Sequence, residues 1–416
     1  LTMSMFWDCQ SIDWGLQRWP DSKAFVHELS QNIRSGEDKW WNEVLEQARQ
    51  GELSEDNYNW LHGFPSTCIR NAPLKFWYRY KNACESPCTC PQSSNTDICE
   101  ACLEEKQRRC RVKPRREDEG FSIEGFENAI LLTPFNQAAW TYANLEARAF
   151  ARRQNKQLLW IRTEDTPPAS WTQYFPDEQA LAAQQAKWLH LNARRRNNIP
   201  GLLPVCMGLP VRVNNGAGAH YKTYGLHTGS IGTVTGVEVH EKDAEKLKDN
   251  VSAEVTLDHL PKRIFIKVQG QMTKPFPGLD AREFPVIPRS TDWNLYESTD
   301  TKVTIHTKGF AISPYFSSTI DSITGRTVDK AIVDLPPWQA FTKYSTAMKA
   351  YIALSRVRKA NDILIADIVS PTLFRCGAHP WPTALLQVLR DETPCPDGKT
   401  CKTLAQQNDK YFRIDD

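Results

Sequence analysis

The sequence predicts an α/β protein built on a parallel sheet with helices on its faces. Two observations near the C-terminal end carry that class, and a third marks a separate β-rich part. Ala331-Ile332-Val333-Asp334-Leu335 and Asp362-Ile363-Leu364-Ile365-Ala366 are short, apolar, β-branched runs of the kind that form buried strands. Between them apolar residues recur at helical spacing through Trp338, Phe341, Tyr344, Met348, Tyr351 and Ile352, which predicts a helix of about five turns. Strand, helix, strand is the crossover unit of a parallel sheet, and charged residues at its element ends line the crevice that binds ligands. Arg356 is in such a place. The third observation is the stretch from Leu202 to Val234, where apolar positions alternate and glycines fall at turns, the marks of a small antiparallel barrel.

Taken in order, residues from Asp21 to Trp60 read as two amphipathic helices. The first runs through Phe25, Val26 and Leu29; the second, through Trp40, Trp41, Val44, Leu45 and Ala48, ends at Gly51, and Leu53 to Asp56 cap a further one. A cysteine-rich segment follows, with seven of the chain's 12 cysteines between Cys68 and Cys110. Cys88 and Cys90, then Cys99 and Cys102, form a CxC and a CxxC around a polar loop, so two tight turns can present four sulfurs to one tetrahedral Zn2+. The spacing is not that of a standard finger, and free thiols or disulfides remain open readings. From Lys106 to Arg116, seven residues in eleven are basic, including Arg115 and Arg116. Such a run is either a solvated face or an arm that tracks a phosphate backbone.

Ala129 to Pro134 reads as a buried strand closed by proline, and Asn136 opens a helix that runs to about Arg153. Trp160 to Asp177, interrupted by prolines, reads as irregular surface, and Gln179 to Arg196 as a helix. Ala253 to Leu257 and Ile264 to Val268 are expected to add strands to the barrel, with Glu241 to Asp249 a helix or exposed loop, and His306 to Ile312 to return the chain to the main sheet.

At 416 residues there is room for two or three domains, and no apolar run approaches membrane-spanning length. With 51 basic and 49 acidic side chains, any nucleic-acid contact has to come from local patches. The chain opens with Leu1 and lacks the marks of a signal peptide, from which a truncated N-terminus is expected. Its size and uneven cysteine spacing point to a reducing, intracellular compartment.

Tyr351-Ile352-Ala353-Leu354-Ser355-Arg356 resembles the Y-V-A-L-S-R signature, the last motif of superfamily 1 DNA helicases of the Pif/RecD type, helitron-type relatives included. Thr319 to Leu335, TIDSITGRTVDKAIVDL, is similar in layout to that family's T-x-H-x-x-Q-G-x-T … v-v-D-L motif. Leu29 to Arg34 with Ala48 to Ser54 resembles its L-x-x-x-x-R helix and the segment after it. Ala129 to Asn144 resembles the entry to its second RecA-like domain, and Leu202 to Asn215 with Gly225 to Val234 its 2B subdomain. The resemblance implies a RecA-like parallel sheet with helices on both faces, an inserted SH3-like β-barrel and, outside the family pattern, the Cys-rich insertion. The implied domains are a helical remainder of the first RecA-like domain (1–65), the Cys-rich basic insertion (66–120), domain 2A (121–202 and 306–376), the SH3-like 2B subdomain (203–305) and a tail (377–416).

The same resemblance implies an ATP-dependent enzyme moving 5′ to 3′ on single-stranded DNA, in the nucleus or mitochondrion of a eukaryote, with work in DNA repair, recombination and telomere maintenance. Arg356 would be its arginine finger, a planar, permanently charged group that stabilises charge on the γ-phosphate; the alternative is a helix-terminal arginine satisfying carbonyls. Arg34 would reach the nucleotide phosphates or else be a solvated surface residue. Thr319, Gly325 and Thr327, with Arg115 and Arg116, would contact DNA phosphates. Asp321 and Thr324 stand where the family has His and Gln, which puts coupling between nucleotide and DNA in doubt. A motor also needs a P-loop and a Walker B acid for ATP and Mg2+. The sequence Gly398-Lys399-Thr400 has Thr393 in place of the upstream glycine and reads as a tail turn. The expectation is therefore a C-terminal half whose partner, an N-terminal RecA-like half, is missing. The rival readings are a helicase remnant from a mobile element that binds nucleic acid without a motor, and a zinc-bridged interaction protein.

Overall fold

A computed structural model describes residues 34–54, 57–58, 61, 126, 129–172, 177–215, 218–248, 250–270, 272–296, 302–335, 343–366 and 370–377. In chain order the principal elements are α1 (Lys39–Gln50), β1 (Ile130–Thr133), α2 (Asn136–Arg153), β2 (Leu158–Arg162), β3 (Glu164–Thr166), α3 (Glu178–Leu189), β4 (Leu202–Val205), β5 (Pro210–Val213), β6 (Ile231–Glu238) and α4 (Glu241–Lys248). They continue with β7 (Glu254–Thr256), β8 (Arg263–Val268), β9 (Glu283–Val286), β10 (Arg289–Tyr296), β11 (Lys302–Gly309), β12 (Ile312–Pro314), β13 (Ser317–Thr319), β14 (Ala331–Val333), α5 (Lys343–Leu354) and β15 (Ile363–Ile365). The chain divides into two compact units, one made of residues 1–122, 325–329 and 335–416, the other of 123–324 and 330–334.

In the first unit, α1 packs on α5. It buries Trp41, Val44, Leu45 and Ala48, a stripe at three- and four-residue spacing. Asp38 starts it with both carboxylate oxygens engaged: Trp41 N donates to Oδ1 at 2.9 Å, and Ala360 N, from the turn after α5, donates to Oδ2 at 3.0 Å. One carboxylate thus caps a helix and ties down a distant turn. Gly51 ends α1 as predicted, with φ of 69°. Its carbonyl accepts from Gly377 N at 3.1 Å, and a Cβ built on it would lie 2.4 Å from Gly377 O. Gly51→Ala therefore adds a backbone clash to left-handed strain of about 1–2 kcal/mol. Urea unfolding should show a loss of at least about 2 kcal/mol; an unchanged midpoint would mean that the Gly377 segment yields freely. Helix α5 begins at Lys343 among the described residues, later than the five-turn expectation, because 336–342, with Trp338 and Phe341, lie outside them.

The second unit holds the parallel strands β13, β1 and β14, with β1 in the middle. β1 runs directly into α2, as its sequence predicts, and α2 buries Ala139, Trp140, Ala143, Ala147 and Ala151. Small residues at four-residue spacing let the helix lie close to the strands, and Ser317 Oγ donates to Ala139 O at 2.6 Å. The unit also contains an antiparallel five-stranded sheet in the order β12-β5-β6-β8-β9. Val211, Val213, Val234, Ile264, Ile266, Val268, Phe284 and Val286 are its buried face, from the alternation visible in the sequence.

Several expectations are corrected here. Leu202–Val205 and Glu254–Thr256, expected in the barrel, instead flank β2, the first antiparallel and the second parallel. Leu202, Leu203 and Val205 of the first enter the same continuous core as the five-stranded sheet, so alternation shows that a segment is a strand without naming its neighbours. Lys302–Gly309 does not return to the parallel sheet; it pairs antiparallel with β10 and β3, and β13 makes the return. The stretch read as irregular after Trp160 contains the end of β2 and all of β3. The helix expected to run to Arg196 stops at Leu189, and Ala193–Arg196 forms a separate 3-10 turn.

That turn buries a cation. Arg196 is 0% exposed. Its Nη2 donates to Asp165 Oδ1 and Oδ2 at 2.8 and 2.9 Å and to Thr163 Oγ1 at 2.7 Å, its Nη1 to Trp188 O at 3.1 Å, and its guanidinium stacks 4.9 Å from the Trp293 ring. Trp171, Trp188 and Trp293, with Val303 and Ile305, form a satellite core around it. No helix among the described residues is long and apolar enough to cross a membrane.

Candidate functional site

The end of α5 is held by its own apolar residues: Ile352, Ala353, Leu354 and Val357 are all buried. The helix breaks immediately afterwards, and Arg356 N donates to Ala353 O at 3.2 Å in a tight turn. Arg356 cannot follow its neighbours into the core as a hydrocarbon, nor does it reach water, being 7% exposed. Its guanidinium folds back over the turn instead. Nε donates to Ile352 O at 2.6 Å, Nη2 to Ser355 Oγ at 2.5 Å and Nη1 to Arg326 O at 3.4 Å. Every one of these acceptors is neutral.

The segment 325–329 belongs to the same unit and is stitched to the same turn. Val328 N donates to Arg356 O at 3.0 Å, so Arg356 grips this segment through both its carbonyl and its side chain. Gly325 has φ of 82°, a conformation that favours glycine, and nothing lies within 4 Å of where a Cβ would stand. The backbone there is open to a ligand. Thr327 is exposed and accepts from Arg34 Nε at 2.8 Å, while Arg34 Nη1 donates to Ser355 O at 2.6 Å, 321 residues away. Ser355 thus has a guanidinium on each side, Arg34 at its carbonyl and Arg356 at its hydroxyl.

Burial, and then the like charge of Arg34, push the Arg356 guanidinium down to about 10, against an opposing pull from the Tyr351 phenol. Burial also lowers Arg34, Tyr351 raises it, and Arg358 lowers it again. Both remain protonated near neutrality. A bound oxyanion would relieve both desolvation and repulsion, so the arrangement favours an anionic ligand with several oxygens.

Arg34, Thr327 and Arg356, nominated separately from sequence, are therefore brought together, with Gly325 on the same segment. Thr319 lies in the other unit, where its Oγ1 donates to Ser322 Oγ at 2.8 Å. Cys88, Cys90, Cys99 and Cys102, and Arg115 and Arg116, lie outside the described residues. Among the described residues no group of three or more His, Cys, Asp or Glu is placed to hold a metal ion. Sequence reasoning missed the parts played by Tyr351, Arg358 and the carbonyls of Ser355 and Arg326. Tyr351 opens the quoted motif and Arg358 lies two residues beyond Arg356, and that adjacency was the available signal.

Among solved structures, the chain is similar to Pif1 helicases. The Pif1 helicase from Candida albicans is 16% identical, with 89% of this chain and 62% of that chain covered and a TM-score of 0.44. The Bacteroides Pif1 bound to ssDNA is 14% identical over 92% of this chain and 63% of that one, with a TM-score of 0.43. The Bacteroides Pif1 in complex with ADP-AlF3 and ssDNA is 13% identical over 88% and 56%, with a TM-score of 0.40. The chain spans about three-fifths of the length of these Pif1 structures. No family model matches it, and no curated protein does.

Proposed function

We propose that this chain is the C-terminal part of an ATP-dependent, 5′ to 3′ DNA helicase or translocase of the Pif/RecD type, supplying the arginine side of the ATP site and part of the single-strand grip. The observation that supports it most is the meeting of Arg34, Thr327 and Arg356. Arg34, far in sequence from the other two, converges with Thr327 and Arg356 on one hydrogen-bonded cluster, each lying in a segment that resembles that family.

The donor set fits a nucleotide's terminal phosphate: the guanidinium N–H groups of Arg34 and Arg356 are what phosphate oxygens require. It does not fit Mg2+, which two guanidiniums would repel, so the metal would be held by the N-terminal half that carries the P-loop. ATP bound between the halves supplies the phosphoryl group that passes to water. In this reading Arg356 stabilises charge as it develops on that group, and Arg34 holds the same oxygens in the ground state. Releasing the Arg356 Nη1 contact with Arg326 O, the long one at 3.4 Å, is the smallest movement that turns a guanidinium edge toward the ligand. The arm with Arg115 and Arg116, together with Thr319, Gly325 and Thr327, would contact the strand, and Cys88, Cys90, Cys99 and Cys102 would hold Zn2+.

Thermal unfolding of the chain with tripolyphosphate tests the anion site directly. A millimolar addition should raise Tm for the wild type by several times the rise seen with Arg34→Ala or Arg356→Ala, because the probe binds only the folded cluster. Equal shifts in all three would leave Arg356 as a helix-terminal arginine satisfying carbonyls. ATP turnover by the chain alone, stimulated by DNA, would overturn the reading that a P-loop half is needed.

A further inference from the structure

We propose that Arg212, with the hydroxyls of Ser318, Thr319 and Ser322, forms a docking point for a backbone phosphate of a single-stranded nucleic acid. This rests on the nucleic-acid part of the function above and adds to it residues from β5 and from the turn after β13. On β5 the side chains of Val211 and Val213 enter the core, so the intervening Arg212 points out of it. Its Nη1 donates to Ser318 Oγ at 3.0 Å and approaches Ser322 Oγ at 3.5 Å, with its guanidinium carbon 6.0 Å from the Tyr315 ring centroid. Ser318 and Thr319 end the parallel strand β13. The 3-10 turn Asp321–Ile323 then folds Ser322 back until its Oγ lies 2.8 Å from both Ser318 Oγ and Thr319 Oγ1.

Three hydroxyls and a guanidinium thus share one network at the carboxyl end of a parallel strand, where open α/β sheets bind ligands. Within it Ser322 Oγ also donates to Thr319 O at 2.9 Å. Hydroxyl protons rotate to suit a partner, so Thr319 and Ser322 can redirect theirs to an incoming oxygen while Arg212 supplies the charge. Ser322 and Asp321 are exposed, Thr319 is half-buried and Ser318 is buried beneath them; a polymer would reach the cluster at Ser322 and Thr319, with Ser318 holding Arg212 from below. One guanidinium matches the single charge of a phosphodiester. Asp321 brings the opposing charge into the same turn and should weaken the interaction.

The test is fluorescence anisotropy of labelled oligothymidine with the full chain from about 50 to about 300 mM NaCl, alongside thermal unfolding. Arg212→Ala should weaken binding about tenfold near 0.1 M salt and reduce the slope of log K against log salt by about 0.7, the loss of one phosphate contact. Arg212→Lys should keep the slope, Ser322→Ala should weaken binding with the slope unchanged, and Asp321→Asn should tighten it. An unchanged slope for Arg212→Ala, whether or not Tm falls, would overturn the proposal and make Arg212 a tie between β5 and the turn. Displacement of the oligonucleotide by millimolar inorganic phosphate would overturn the polymer assignment and make this a free-anion site. Absence of wild-type binding at every salt would sink the nucleic-acid reading and this inference together; normal wild-type binding with unaffected Arg212→Ala would sink this inference alone.

Discussion

Arg356→Ala, in a preparation that includes the ATP-binding half, is expected to lower ATP turnover by about 10³-fold or more, the usual weight of an arginine finger. Single-strand affinity without nucleotide should stay within about twofold, because in the proposed role Arg356 acts on the phosphoryl group and not on the strand. Arg356→Lys should restore little, since the site is built around a planar fork: Nε, Nη1 and Nη2 each have a different acceptor, and an ammonium cannot span Ile352 O, Ser355 Oγ and Arg326 O together. Turnover assayed beside anisotropy separates the outcomes. A parallel loss of both activities, with a fall in Tm, would show that Arg356 mainly closes α5. Arg34→Ala should act differently, raising KM for the nucleotide more than it lowers kcat, because its proposed role is to hold the phosphate before reaction begins.

The largest effect on stability is expected at Asp165. Asp165→Ala leaves Arg196, 0% exposed, as a buried cation without its carboxylate, and should cost about 3–5 kcal/mol. Arg196→Ala should cost a similar amount, because Asp165 would then be stranded with Thr307 Oγ1 as its remaining hydrogen-bond donor in this network. Removing both should cost less than the sum of the two, since neither charge is then left alone. Urea unfolding of the four proteins provides the cycle. Additive losses would mean that Thr163, Thr307, the Trp188 carbonyl and the Trp293 ring compensate each charge separately.

Much of the first unit's site was legible because its residues sit in local patterns. The apolar period through Tyr351 and Ile352 determined α5 and put Arg356 at its end. Gly51 determined the end of α1. The strands at Ile130, Ala331 and Ile363 followed from short β-branched runs. Arg34 was legible only through resemblance, since a lone arginine after a polar run is by itself an ordinary surface residue.

What local pattern determined on its own, then, was most of the helices and strands and the place of Arg356 at the end of α5; resemblance added Arg34 and Thr327 as candidates. Tertiary structure alone decided the partners. β4 and β7 flank β2 rather than closing a barrel, Arg196 is swallowed by a tryptophan cluster, and Arg212 meets a hydroxyl trio some hundred residues on. The physical reason is the same in each case. Periodicity reports which face of an element is apolar, a property of neighbouring residues, whereas the partner of a strand edge or a guanidinium is set by which distant groups satisfy it once the core has closed.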